Sequence, residues 1–179
     1  MSDEQSDLEL AGDATWVVAR LEIDHVEQVA APLAARVLAE ARERLTVALR
    51  TGDQLTEASR GFWLGLGTAG PDVEERLAGR VLDTIGLQPF DLGGGQYLRR
   101  TASIGWAPFP WQPADPQSLA LREVEAVALR ALRLAQRSGR NQAVGMLPVD
   151  AERAPTAVRV VRTLGPDLID ETPTAPIPR

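Results

Sequence analysis

The sequence predicts a mixed α/β (α+β) fold, with a central, largely antiparallel sheet flanked by helices. Three observations predict it. Short apolar runs of strand length alternate with longer amphipathic stretches of helix length. Two of the strand-like runs, 54–58 and 62–66, are separated only by Ser59-Arg60-Gly61, which suits a hairpin. The other strands arrive singly between helices, so parallel and antiparallel neighbours mix in one sheet. The helices are expected chiefly on one face of it.

The elements follow in order. Residues 16–23, WVVARLEI, are β-branched and mostly apolar and read as a buried strand. Pro32 suits the first turn of a helix. Leu38, Ala41, Leu45, Ala48 and Leu49 supply the apolar side of that helix as far as Arg50, and Thr51-Gly52-Asp53 breaks it. After the hairpin, Pro71 opens a second helix with Val73, Leu77, Val81 and Ile85 as its stripe, and Gly86 ends it. Residues 91–96 form a turn and 97–107 one long strand. Four prolines make a loop of 108–116. A third helix spans 118–138 and is closed by Gly139; 141–147 is the last core strand, and 157–161 adds one at an edge.

Length and composition set the class. A chain of 179 residues can bury one full core. That domain is expected over 15–148, between a flexible acidic segment at 1–14 and a Pro-rich tail at 149–179 that carries the added edge strand. A net charge of −6 argues against a broad nucleic-acid footprint, although local arginine clusters still suit a small phosphate ligand. The absence of cysteine excludes disulfides, thiolate nucleophiles and cysteine-based zinc sites. No apolar run approaches the roughly 18 residues of a membrane span, and the N-terminus lacks a signal pattern. A cytoplasmic protein without membrane insertion is expected.

Four motifs carry a resemblance: Leu21-Glu-Ile-Asp-His25, Arg50-Thr-Gly-Asp53, Thr101-Ala-Ser-Ile-Gly-Trp106 and Ser138-Gly-Arg-Asn141. In this order and spacing, over 16–147, the chain resembles a GGDEF domain, the bacterial signalling module that condenses two GTP molecules into cyclic di-GMP. Its fold is similar to that of the nucleotidyl cyclase and polymerase palm. The resemblance implies a phosphoryl transferase that holds magnesium with carboxylates.

This chain departs from that pattern at each catalytic position. The signature is replaced by Ser59, Arg60, Gly61, Phe62 and Trp63. Glu22 stands at the first metal ligand, normally an Asp, and its extra carbon moves the oxygen by about 1.5 Å. The second ligand, the Glu of the signature, is matched by Phe62, and a phenyl ring cannot coordinate a hard cation. Ala30 matches the guanine-reading Asn and Gln136 the phosphate-binding Lys, while Arg140 is retained. The expectation is a degenerate domain, a pseudoenzyme with no catalytic residues, no metal and no cofactor. Glu22 and Asp24, on one face of the strand, are the residual cation candidates, expected to be solvated at the pocket mouth.

The family's inhibitory Arg-x-x-Asp site is matched by Arg50 and Asp53, and Arg80 best matches its third residue, with Arg76 one turn away. A guanidinium fork can grip a phosphate or the guanine O6/N7 edge, and a carboxylate can accept from guanine N1–H and N2–H₂. Cyclic di-GMP binding at Arg50, Asp53 and Arg80 is thus one expectation. The alternative is a ligand-free scaffold for a protein partner or a homodimer, with the Phe62/Trp63 hairpin and the loop between Trp106 and Trp111 as the surfaces to test; Phe62 and Trp63 are otherwise read as a plug of the old active site, and Trp106 and Trp111 as a capped core edge. His25 is read as solvent-facing. The arginines at 130, 133, 137 and 140 are read as a solvated helix face.

Overall fold

The computed structural model describes residues 6–10, 14–68, 73–112, 119–149 and 158–167. In it the run WVVARLEI forms β1 (Trp16–Ile23), with every residue but the first buried. In the sheet β1 is central, with two antiparallel neighbours: β3 (Gly61–Gly67) and β6 (Ala102–Phe109). β2 (Gln54–Ala58) pairs antiparallel with β3 at one edge, as the hairpin signal predicts. Beyond β6 lie β7 (Gln142–Pro148), parallel to it, and β8 (Val158–Leu164), antiparallel to β7. The sheet order is β2-β3-β1-β6-β7-β8.

Helices cover both faces. Val17, Ala19, Leu21 and Ile23 point to one face, where Val37, Ala41 and Leu45 of α1 (Ala31–Ala48) complete the main core. The same core takes Leu77, Val81 and Ile85 from the predicted second helix. That helix consists of α2 (Val73–Arg76), a wide π-helical stretch (Leu77–Leu82) and α3 (Asp83–Gly86). On the opposite face Val18, Trp63 and Ala107 pack on Val124 and Ala128 of α4 (Leu121–Arg137). The expectation of helices chiefly on one face is corrected by the parallel β6–β7 pair. Its connection must cross over the sheet, and α4 is that crossover.

The motif Thr101-Ala-Ser-Ile-Gly-Trp106 has a packing reason. A Cβ on Gly105 would lie 2.0 Å from the backbone nitrogen of Leu132 and 2.1 Å from the carbonyl oxygen of Ala128. Only a glycine lets α4 come this close to β6.

Three segments differ from expectation. The long strand at 97–107 is interrupted. Residues 96–98 belong instead to β5 (Gln96–Leu98), paired with β4 (Phe90–Gly93) in a separate two-stranded sheet, and β6 continues through Pro108 to Phe109. The edge strand is longer than 157–161, since β7 offers it a partner along its whole length. Residues 6–10, expected within a loose segment, lie against the core. Leu8 is 7% exposed among the residues around Trp63, while Glu9 N–H donates to Gln54 Oε1 at 2.8 Å and Gln54 Nε2 donates to the Glu9 carbonyl.

Candidate functional site

The two-residue period of β1 places Arg20, Glu22 and Asp24 together on the α4 face. Asp24 is 3% exposed. It accepts hydrogen bonds from Thr101 Oγ1 and Ser103 Oγ, both at 2.6 Å, and from the Asn141 N–H at 3.1 Å. Arg140 Nε lies 3.9 Å away. Arg140 and Asn141 both adopt positive φ in the turn after α4, and this aims the Asn141 N–H at the carboxylate.

Glu22, with a side chain 12% exposed, accepts from Gln136 Nε2 at 2.8 Å. It faces Arg20 Nη2 and Arg60 Nη2, each at 3.4 Å. The expectation that Glu22 and Asp24 are solvated at a pocket mouth is therefore corrected. Both are enclosed, and their oxygens are engaged by donors from elements distant in sequence.

The degenerate hairpin also reads differently in three dimensions. β1 and β3 pair with Leu21 opposite Phe62 and Glu22 opposite Gly61. Facing residues share a side, so Phe62 points away from Glu22 into the main core. It is Gly61, not Phe62, that stands across from Glu22. A Cβ on Gly61 would meet the Leu21 carbonyl oxygen at 2.0 Å, so this backbone leaves no space there for a carboxylate side chain. Trp63 points to the α4 face with no exposed surface, and the Arg20 guanidinium lies 5.8 Å from its ring centroid. Phe62 and Trp63 are core residues, which corrects their assignment to an interaction surface. Trp106 and Trp111 are 3% and 8% exposed and pack into the cores of opposite faces, in line with a capped core edge and against an exposed aromatic surface there.

The residues around Glu22 do not fit a divalent cation. One carboxylate stands among guanidinium groups, and among the described residues no group of three or more His, Asp or Glu could hold a metal ion. What surrounds it is a cavity of about 190 Å³ lined by Arg20, Glu22, Ser59, Arg60, Arg133 and Gln136, with two leucines of α4 beneath. Sequence reasoning missed Arg20 as part of a site and read Arg133 as one of a solvated helix face, where it is indeed exposed. The available signal for Arg20 was its place in the strand alternation with Glu22.

At the other end of the hairpin the chain turns from α1 into β2. Gly52, at φ +94°, takes the turn, and Asp53 N–H donates to the Arg50 carbonyl at 3.0 Å. The Asp53 side chain is 4% exposed. Its Oδ1 accepts from Gly67 N–H at 3.0 Å, and its Oδ2 from Arg50 N–H at 2.9 Å and from Arg76 Nη2. Arg76 Nη1 also donates to the Gly67 carbonyl at 2.7 Å. The arginine that pairs with Asp53 is Arg76, while Arg80 is exposed together with Arg50. The π-helical stretch follows directly after Arg76 and breaks the simple i, i+4 alignment of the two. His25 is partly exposed and its Nδ1 lies 3.1 Å from Gln28 Nε2.

Comparison with solved structures supports a GGDEF-like domain for this mixed sheet between two helical layers. No protein-family model matches the sequence, and no curated protein matches it either. The GGDEF domain of DgcB from Caulobacter crescentus, solved in complex with c-di-GMP, is similar at a TM-score of 0.64 and 18% identity, over 75% of this chain and 79% of that one. Diguanylate cyclase SiaD from Pseudomonas aeruginosa, solved with its activator SiaC, is similar at a TM-score of 0.63 and 25% identity, over 74% of this chain and half of that one. The FimX GGDEF domain from the same organism gives a TM-score of 0.60 at 17% identity, over 73% and 80%. Among the described residues no helix is long and apolar enough to cross a membrane.

Proposed function

We propose that this chain is a catalytically silent GGDEF-like module that responds to cyclic di-GMP at the corner built by Arg50 and Asp53, with Arg80 on the neighbouring helix. The observation that carries the reading is the exposed Arg50 beside a carboxylate fixed by the α1–β2 turn. The turn supplies a guanidinium fork for a phosphate or a guanine edge, and Arg80 adds a second exposed cation. Asp53 is committed to Arg76 and two backbone amides, so guanine has to share that carboxylate with them. Catalytic silence rests on Glu22, which faces a glycine and two arginines in place of a second carboxylate. DgcB, a similar fold, was solved with c-di-GMP.

Calorimetric titration of cyclic di-GMP tests the ligand. Binding in the wild type that is lost in Arg50→Ala supports the reading, and silence in both removes it. Incubation with GTP and magnesium is expected to give no cyclic dinucleotide, and detectable product would overturn catalytic silence.

The engagement of Asp53 favours a second reading, a scaffold that works through protein contacts. Its surface is then the groove of about 680 Å³ between α1 and α3, where Val47 and Leu87 are 88% and 56% exposed. SiaD, solved with an activator protein, is a similar fold.

A further inference from the structure

We infer that the free edge of β8 is a self-complementary interface, through which two copies of the chain pair antiparallel into one continuous sheet. β8 is the last strand of the sheet, and among the described residues no strand lies beyond it. Such an edge offers unpaired N–H and C=O groups to another chain. β8 holds no proline or glycine and pairs with β7 over its whole length without a register shift. Val158, Val160 and Leu164 are exposed on it. The opposite edge is less open, because Gln54 of β2 exchanges two hydrogen bonds with the Glu9 backbone.

The hydrogen-bond pattern fixes which residues face outward. Gly165, just after β8, donates its N–H to the Asn141 carbonyl at 2.8 Å. Bonded positions alternate along an antiparallel pair. Counting back by two, Thr163, Val161 and Arg159 turn their backbone groups to β7, opposite Ala143, Gly145 and Leu147. Val158, Val160, Arg162 and Leu164 therefore turn theirs to the free edge. These four include all three exposed apolar residues of the strand.

A two-fold interface must match the strand with its own reverse. An outward position has to face an outward one, so the axis passes through a residue. Pairing about Val161 sets Val158 against Leu164, Arg159 against Thr163 and Val160 against Arg162 of the second copy. Every outward N–H and C=O of β8 then has a partner, and no arginine faces an arginine. Pairing about Val160 carries Leu164 past the end of the facing strand. Pairing about Arg162 sets two guanidinium groups directly opposite, which is destabilising. The register about Val161 meets both conditions, and this self-match is the reason to assign the edge to a second copy.

The described chain after β8 leaves the edge open. Pro166 turns onto α3, where a Cβ on Gly86 would lie 2.7 Å from its Cγ. β8 and β2 are opposite edges of the sheet, and the Arg50 corner leads into β2. The pairing therefore uses neither that corner nor the groove between α1 and α3, and it does not depend on cyclic di-GMP binding.

Sedimentation equilibrium of the full chain, from micromolar to millimolar concentration, tests the pairing. A mass rising from 19.3 kDa toward twice that value is expected. Val160→Pro removes one outward donor from each copy and spares the β7 ladder, since proline is tolerated where the N–H faces out of an edge. It is expected to weaken the dimer at least about tenfold, the loss of two hydrogen bonds, with the circular dichroism of the chain retained. Cross-linking gives a readout that does not rest on that variant. The chain has no cysteine. Position 161 faces itself across the axis in a narrow pair, about 4.5 Å between Cα atoms and within disulfide reach. Mild oxidation should join two copies of Val161→Cys and not two of Val158→Cys, which stand about 20 Å apart along the strands. A chain that stays monomeric throughout would overturn the inference and leave the edge to one of its own segments or to an acidic strand of another protein. A dimer undiminished by Val160→Pro, or a cross-link at 158 and none at 161, would overturn it as well.

Discussion

Asp53→Ala is expected to destabilise the domain strongly, whether or not a ligand is present. In the folded chain the carboxylate, 4% exposed, neutralises Arg76, itself only 8% exposed, and accepts two backbone N–H groups. The alanine leaves an enclosed guanidinium without its counter-charge and two amides without acceptors. Removing one partner of such a pair costs about 3–5 kcal/mol. At about 2–4 °C per kcal/mol for a chain of this size, the melting temperature falls by roughly 6–20 °C. Urea denaturation read by tryptophan fluorescence and by circular dichroism measures this directly. Arg50→Ala serves as the comparison, since that side chain is exposed and its loss should stay within about 0.5 kcal/mol. Arg76→Met added to Asp53→Ala should recover part of the loss, because the stranded cation goes with it. An Asp53→Ala protein as stable as the Arg50→Ala protein would refute the reasoning: the carboxylate would then be a free ligand group and not a structural tie.

Two further outcomes follow from packing and burial. Gly105→Ala forces a methyl group against the backbone of α4, and an overpacking cost of about 1–3 kcal/mol is expected in the same denaturation assay. Unchanged stability would mean that α4 does not sit where it is described. Burial pushes the Glu125 carboxyl above its ordinary value, with the hydrogen bonds from Ser6 opposing. The folded state then keeps its proton to a higher pH than the unfolded chain does. Stability is lost as pH rises from the unfolded pKa through the folded one. Glu125→Gln should flatten that decline and gain most at neutral pH, and a variant whose melting temperature tracks the wild type across the range would contradict it.

The sequence made the main core legible because its periods survive folding. Val73, Leu77, Val81 and Ile85 predicted a helix stripe, and the last three are buried in the main core. Strand β1 was legible as an apolar run. What the sequence could not supply is register. Whether Gly61 or Phe62 faces Glu22 depends on how β3 pairs with β1, and a slip of one residue exchanges the two faces. The same limit hid the choice between Arg76 and Arg80, which a short π-helical stretch decides. The break after Leu98 was hidden because Arg99 and Arg100 are compatible with a continuous strand, and the pairing of β5 with β4 is a tertiary fact. The cavity was invisible for a related reason. Its arginines stand at positions 20, 60 and 133, and only the sheet and α4 assemble them.

The carboxylate of Asp24 draws its donors from positions 101, 103 and 141. Until the ribosome has delivered the last of these, the charge has no complete set of partners, and enclosing it would be costly. The rim of the sheet therefore closes late in synthesis. A product truncated before Asn141 should remain a loose intermediate for chaperones and proteases to recognise, rather than settle as a smaller stable protein.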